Sequence, residues 1–288
     1  MIISIASGKG GTGKTTVATN LALSISNVQL LDCDVEEPNA HIFIKPRIKE
    51  KRPVFIPVPQ VDKEKCNGCG RCKEVCAYNA IAVLSAKGRS ASGRGSDVLV
   101  FADLCHGCGS CAYFCPQKAI NEVDKEIGFV ETGSKDDLEF IHGKLNIGQA
   151  MSPPLIRAVK KYINPARINI IDAPPGTSCP VIESIKGSNF CLLVTEPTPF
   201  GLNDLILAVE TLRKLKIPFG VAVNRSDLGD NKTEEYCSKE NIPILMRIPF
   251  KKEIASSYSQ GIPMVEALPE YRKDFQEMFN RIESGRFR

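Results

Sequence analysis

The stretch "IISIASGKGGTGKTTVATN" at the start of the chain constrains the fold more than any other. A short apolar run (residues 2–6) leads straight into a glycine-rich loop. The loop opens into "KTTVATNLALSIS", where Val17, Leu21 and Ile25 recur at helical spacing. "VQLLDC" (28–33) then reads as a buried strand ending at a polar loop. Strand, loop, helix and strand in this order form a βαβ unit, which implies a parallel sheet.

The same alternation returns after residue 150. "SPPLIRAVKKYI" predicts a helix with proline at its start, and "RINIIDAPPG" a strand meeting a turn. "NFCLLVTEPTP", "PFGVAVNR" and "IPILMRIPF" predict three more strands, with "GLNDLILAVETLRKL" as an amphipathic helix after the first of them. The expected fold class is α/β, a mostly parallel sheet flanked by helices. The pattern breaks near Pro53. From about Val61 to Lys125 the chain is rich in cysteine and glycine and shows no long periodic segment. The expected organisation is one α/β domain over residues 1–60 and 126–288, interrupted by an inserted cysteine-rich module over 61–125.

Composition narrows the function classes. A formal charge of +4 over 288 residues, without a Lys/Arg block, argues against nucleic acid as a partner. No stretch approaches 18 consecutive apolar residues, so no transmembrane segment is expected. "IISIA" runs into the loop without a basic leader, so the expected compartment is the cytoplasm. Disulfides are rare there. Twelve cysteines in such a chain therefore point to metal or redox chemistry.

Residues Gly8 to Thr15 fit G-x4-G-K-[ST], the P-loop pattern. Its glycines let successive backbone N–H groups converge on phosphate oxygens, and the following helix adds the positive end of its dipole. Lys14 is expected on the β- and γ-phosphates, and the Thr15 hydroxyl on Mg²⁺.

Lys9, a second lysine inside the loop, resembles the deviant Walker A motif of the MinD/ParA/Mrp and nitrogenase iron-protein group of ATPases. "LLDCDVEEPN" is similar to that group's first switch, "IIDAPPGT" to its second, and "VAVNR" to its base-reading strand end. The resemblance covers roughly residues 1–60 and 145–265. It implies ATP held by Gly8, Lys9, Gly10, Gly11, Thr12, Gly13, Lys14, Thr15, Thr16, Asn224 and Arg225. It implies Mg²⁺ near Thr15, Asp32 and Asp172, and Asp34 orienting the attacking water. It also implies a homodimer with ATP at the interface, Lys9 of each copy reaching the partner's nucleotide. Lys9, Lys14, Asp34 and Asp172 are then the catalytic set.

"CNGCGRCKEVCAYNAI" from Cys66 and "CHGCGSCAYFCPQKAI" from Cys105 align without gaps at an offset of 39 residues. Each block reads C-x2-C-x2-C-x3-C, which resembles the two-cluster bacterial-type ferredoxins and implies an α+β fold for the insert over 61–125. Zinc sites instead pair two short motifs across a spacer. The resemblance implies one 4Fe–4S cluster on Cys66, Cys69, Cys72 and Cys115, and a second on Cys105, Cys108, Cys111 and Cys76. Ala77 stands where a proline usually follows the fourth cysteine; Pro116 keeps it in the second block. Cys33, Cys191 and Cys237 read as small buried hydrophobes. Cys179, seven residues after Asp172, reads as a thiol without a partner ligand. The segment "SAKGRSASGRGSD" (85–97) reads as a solvated loop or a docking surface for an acidic redox partner.

The combined expectation is a dimeric ATPase that couples nucleotide state to electron transfer through two 4Fe–4S clusters, with an unidentified redox partner. The alternatives are an iron–sulfur cluster carrier of Mrp type and a MinD-like spatial-organising ATPase with structural or sensing clusters.

Overall fold

The computed structural model describes residues 1–84 and 97–285. Apart from Asp97, the Ser/Gly-rich segment read as a docking surface lies outside the described residues. The strands are β1 (Ile2–Ala6), β2 (Val28–Asp32), β3 (Arg47–Val61), β4 (Ile81–Leu84), β5 (Asp97–Val100), β6 (Ile120–Lys135), β7 (Leu138–Leu145), β8 (Ile168–Asp172), β9 (Phe190–Thr195), β10 (Phe219–Asn224) and β11 (Ile244–Ile248). The helices are α1 (Lys14–Ser24), α2 (Ala40–Ile44), α3 (Arg71–Glu74), α4 (Ser110–Tyr113), α5 (Pro153–Lys160), α6 (Cys179–Ile185), α7 (Pro199–Leu215), α8 (Lys232–Lys239), α9 (Lys252–Ser259), α10 (Met264–Ala267) and α11 (Tyr271–Glu283). None of them is long and apolar enough to cross a membrane, among the described residues.

Two compact units emerge. The first comprises Met1–Arg52, Val130–Lys144 and the chain from Leu155 on; the second comprises Pro53–Phe129 and Leu145–Pro154. The chain leaves the first unit within β3 and re-enters it within β6.

The first unit is built on a sheet of order β11-β10-β9-β1-β8-β2-β7-β6-β3, in which every pairing from β11 to β7 is parallel. Its central strands are apolar on both faces, as a sheet covered on both sides requires. Ile3, Ile5, Leu192 and Val194 join one core with α1 and α11, while Cys191, Leu193, Val221 and Val223 join a second core with α6 and α7. Tyr271, Phe275, Met278, Phe279 and Ile282 of α11 are all buried in the first core. Each such side chain contributes roughly 1.5–3 kcal/mol on leaving water. Cys33, Cys191 and Cys237 are buried, and Cys179 is exposed.

Two long strands depart from the sequence expectation, which saw no periodic segment between Val61 and Lys125 and resumed only after residue 150. β3 runs for 15 residues and β6 for 16, with β7 following at once. β3 is mostly exposed and carries three prolines, so it shows no alternating pattern. Proline is tolerated at a sheet edge because no ladder donor is needed there, and β3 ends the sheet.

In the second unit the two cysteine blocks fold alike. Gly68, Gly70, Gly107 and Gly109 all take left-handed φ, between 63° and 80°. The second glycine of each block caps a one-turn helix, α3 or α4. β4 and β5 pair antiparallel, Ile81 opposite Val100.

Candidate nucleotide and cysteine sites

In the first unit the C-terminal ends of β1, β2, β8, β9 and β10 converge on the loop Ser7–Gly13, the usual place for a ligand in an open α/β sheet. Gly11 and Gly13 take φ of 78° and 93°, which residues with a Cβ rarely adopt. A Cβ on Gly13 would lie 2.5 Å from Asn224 Nδ2, and one on Gly8 would lie 2.2 Å from the Asp204 carbonyl oxygen. The loop is thus clamped from both sides, and α1 starts at once with Lys14 and Thr15 buried. Beside it opens a cavity of about 1300 Å³, solvent-facing space included. Gly10, Gly11, Gly13, Lys14, Thr15, Thr16 and Asp34 form one wall; Arg225, Phe250 and Tyr258 belong to the other.

Asp32 and Asp172 end the neighbouring strands β2 and β8 in register. Burial raises both carboxyls above the usual range, and Asp172 raises Asp32 further. The Thr15 hydroxyl and the Lys14 ammonium pull Asp172 back down in part. The two are served differently. Asp32 accepts from the N–H of Asp34 (3.1 Å), Asn39 (3.1 Å) and Ala40 (3.0 Å), which pins the loop between β2 and α2. Both Asp172 oxygens are buried without a well-formed hydrogen bond. A buried carboxylate facing a threonine hydroxyl is the oxygen donor set a hard divalent cation takes. Asp34 is pushed up to about 6 by burial, against the pull of Lys14.

Three other expected residues are occupied within the chain. Asn224 donates to the Thr12 carbonyl (2.8 Å) and accepts from the Arg225 N–H (3.0 Å), so it braces the loop. Lys9 turns to Glu196 at 3.6 Å and is not among the residues lining the cavity. Arg225 reaches the same carboxylate at 2.8 Å. Glu196 escaped the sequence reading. Its one signal was an acidic residue closing the apolar run "FCLLVT", a place where β9 delivers side chains to the loop.

In the second unit each cysteine set surrounds a cavity. One, of about 370 Å³ with solvent-facing space included (as in the second), is lined by Cys76, Cys105, Cys108 and Cys111. The other, of about 340 Å³, is lined by Cys66, Cys69, Cys72 and Cys115. Each therefore takes three thiols from one block and one from the other. Among the described residues no three His, Cys, Asp or Glu side chains form a group suited to a single metal ion. Backbone N–H groups of Ala80, Gly107 and Ala119 donate to the sulfurs of Cys76 (3.3 Å), Cys105 (3.4 Å) and Cys115 (3.3 Å). Four soft thiols around a space, with amides on the sulfurs, suit an iron–sulfur cluster. A stacked pair also escaped the sequence reading: Tyr78 and His106, one from each block, lie with ring centroids 3.4 Å apart at 8°.

Comparisons with known proteins give the family and the fold. The family description "CobQ/CobB/MinD/ParA nucleotide binding domain" matches residues 3–264. An uncharacterized protein of Methanocaldococcus jannaschii is 32% identical over 267 residues, covering 91% of this chain and 90% of its own. An iron-sulfur cluster carrier protein of Pyrococcus horikoshii is 28% identical over 134 residues, 39% of this chain and 45% of its own. Among solved structures, the cell division ATPase MinD of Pyrococcus furiosus superimposes with a TM-score of 0.56 at 20% identity, covering 98% of both chains. MinD of Pyrococcus horikoshii, complexed with Mg-ADP, gives a TM-score of 0.56 at 19% identity over 99% of this chain and 95% of that one.

Proposed function

Since the chain belongs to the CobQ/CobB/MinD/ParA nucleotide-binding family, we propose that it is an ATPase whose nucleotide state governs electron transfer through two 4Fe–4S clusters in its second unit. One observation carries the reading. The same chain presents a phosphate-ready glycine loop and two cavities, each ringed by four cysteines drawn from both blocks.

In this reading Mg–ATP lies in the large cavity. Lys14 and the loop amides hold its phosphates, and Thr15 and Asp172 hold the cation. Asp32, already bound by three amides, fixes the loop that carries Asp34. With its carboxyl near 6, Asp34 is largely ionised at neutral pH and orients the attacking water by accepting its proton in a hydrogen bond. Positioning and charge neutralisation supply most of the acceleration of phosphoryl transfer. Two copies meet face to face, and Lys9 serves the partner's nucleotide. The cysteine sets Cys66, Cys69, Cys72, Cys115 and Cys105, Cys108, Cys111, Cys76 hold the clusters. When bound, these supply one-electron storage.

The similarity to iron-sulfur cluster carrier proteins, over about a third of the chain, favours a second reading: the clusters are cargo passed to an apo-protein. The comparisons support this reading more than the first; the enclosure of each cavity by four thiols supports the first. One experiment separates them. Anaerobically purified protein is assayed for iron and sulfide. It is then reduced and mixed with an oxidant or with an apo-ferredoxin, each with and without Mg–ATP. ATP-dependent oxidation with iron retained supports electron transfer. Iron moving to the acceptor supports the carrier. Protein without iron or sulfide refutes both.

A further inference from the structure

We infer that Glu196 is a positioning residue that parks Lys9 outside the phosphate cradle of the free chain, so that a triphosphate must displace a carboxylate before Lys9 can serve a nucleotide. The inference needs only nucleotide binding at the loop and is independent of the cluster reading.

Glu196 follows the last residue of β9 and is 6% exposed. A carboxylate buried to that extent needs compensation. Its two oxygens are divided between two cations. Oε1 accepts from Arg225 Nη1 at 2.8 Å, a full hydrogen-bonded ion pair. Oε2 lies 3.6 Å from Lys9 Nζ, an ion pair without hydrogen-bond contact.

Arg225 is the anchored partner. It follows directly on β10, its φ of 52° is left-handed, and its guanidinium sits 6.0 Å from the Phe250 ring centroid. Lys9 is the loose one. It makes only the longer contact, 3.6 Å, at the end of a flexible four-carbon stem. The division of labour matters. A buried carboxylate with one cation would lose its only compensation when that cation left, at a cost of several kcal/mol. Arg225 keeps Glu196 neutralised after Lys9 departs, so the weaker contact can break at low cost.

The backbone gives Lys9 a fixed base and a free arm. Its carbonyl accepts from the Ser7 hydroxyl at 2.5 Å, which sets the loop. A Cβ on Gly10 or Gly11 would meet nothing within 4 Å, so the outer face of the loop beside Lys9 is open. A triphosphate with several negative charges outbids a single carboxylate already shared with Arg225. Lys9 is thereby coupled to phosphate count rather than held permanently in the cradle.

The test is a double-mutant cycle on the full chain, using Mg²⁺ with a non-hydrolysable ATP analogue. Glu196→Gln keeps the shape and removes the charge. It should tighten analogue binding about 10-fold, the equivalent of about 1.4 kcal/mol. In a Lys9→Ala background the same change should have little effect. A gain of equal size in that background would mean that Glu196 acts only through its field, and would overturn the proposal. So would no gain at all. Acetylation of Lys9 in the nucleotide-free protein, followed by mass spectrometry, reads the parking directly. Glu196→Gln should acetylate faster at Lys9 and not at Lys14. Unchanged labelling sinks the idea, as does faster labelling without tighter binding. Should Glu196→Gln fail to fold, Glu196→Asp serves instead. It keeps the Arg225 pair and shortens the reach to Lys9, and must give the same two results.

Discussion

Asp32 and Asp172 stand opposite each other on the adjacent parallel strands β2 and β8, yet three backbone amides hold the first and no well-formed hydrogen bond holds the second. Identical chemistry at neighbouring strand ends therefore splits into two jobs. Asp32 organises the loop that leads to α2. Asp172 leaves both its oxygens buried without a well-formed hydrogen bond, as the proposed cation site requires.

Substitutions should separate those jobs. Asp172→Asn removes a buried carboxyl whose burial outweighs the pull of Thr15 and Lys14, so the free chain should melt no lower than wild type, while Mg²⁺-dependent nucleotide binding is lost. Asp32→Ala leaves three amides without an acceptor and should destabilise the chain by about 1–3 kcal/mol. Urea denaturation and nucleotide titration of both variants check this. Equal stability losses would contradict the assignment.

The loop glycines should not be equivalent. Gly11→Ala adds a methyl group into open space and carries only the left-handed backbone penalty, about 1–2 kcal/mol. Gly13→Ala adds the same penalty plus a contact at 2.5 Å with the Asn224 amide, which itself supports the Thr12 carbonyl. Gly13→Ala should lose nucleotide binding outright, and Gly11→Ala should retain it. Calorimetric titration with Mg–ADP reads the difference.

Asp34 contributes one part of the pH dependence. Its folded pKa, about 6, exceeds the ordinary 3.8. A raised carboxyl contributes stability that is fully present below about pH 4 and is lost as pH rises through about 6. Hydrolysis runs the other way: protonation of Asp34 below pH 6 should slow it. Asp34→Asn should remove its share of the stability slope between pH 4 and 6, leaving the shares of the likewise raised Asp32 and Asp172, and depress hydrolysis at every pH. A hydrolysis profile that stays flat from pH 5 to 7 in the wild type would remove Asp34 from the water-orienting role.

The two lysines of the loop should differ as well. Lys14→Ala takes the charge out of the cradle and should abolish nucleotide binding. Lys9→Ala should spare binding and lower both hydrolysis and ATP-driven self-association, as followed by phosphate release and light scattering. Wild-type values in both assays would refute the cross-subunit role.

The crossed cysteine sets make a spectroscopic prediction. Cys76→Ser should perturb the cluster held by Cys105, Cys108 and Cys111, and Cys115→Ser the one held by Cys66, Cys69 and Cys72, because those are the thiols with which each lines a cavity. Paired with Cys69→Ser and Cys108→Ser, the electron paramagnetic resonance spectra should fall into two groups along those lines. Grouping by sequence block instead would overturn the assignment.

Local signals in the chain were enough to establish the α/β class, the parallel strands around β1 and the glycine loop with Lys14 and Thr15. Each rests on a short run: an apolar stretch, a loop whose glycines adopt φ that other residues avoid, a helix start. Periodicity and turn chemistry act over a few residues, so a single sequence displays them. β3 and β6 were invisible for the converse reason. β3 is mostly exposed and proline-bearing, β6 is interspersed with charge and has no clean alternation, and only pairing within the sheet makes them strands. The same holds at the site. No pattern near Lys9 names Glu196, 187 positions further on. Nothing local tells Asp32, with its amide partners, from Asp172, with none. Those distinctions depend on which strand ends meet and which backbone N–H groups they meet, and the folded chain alone decides that.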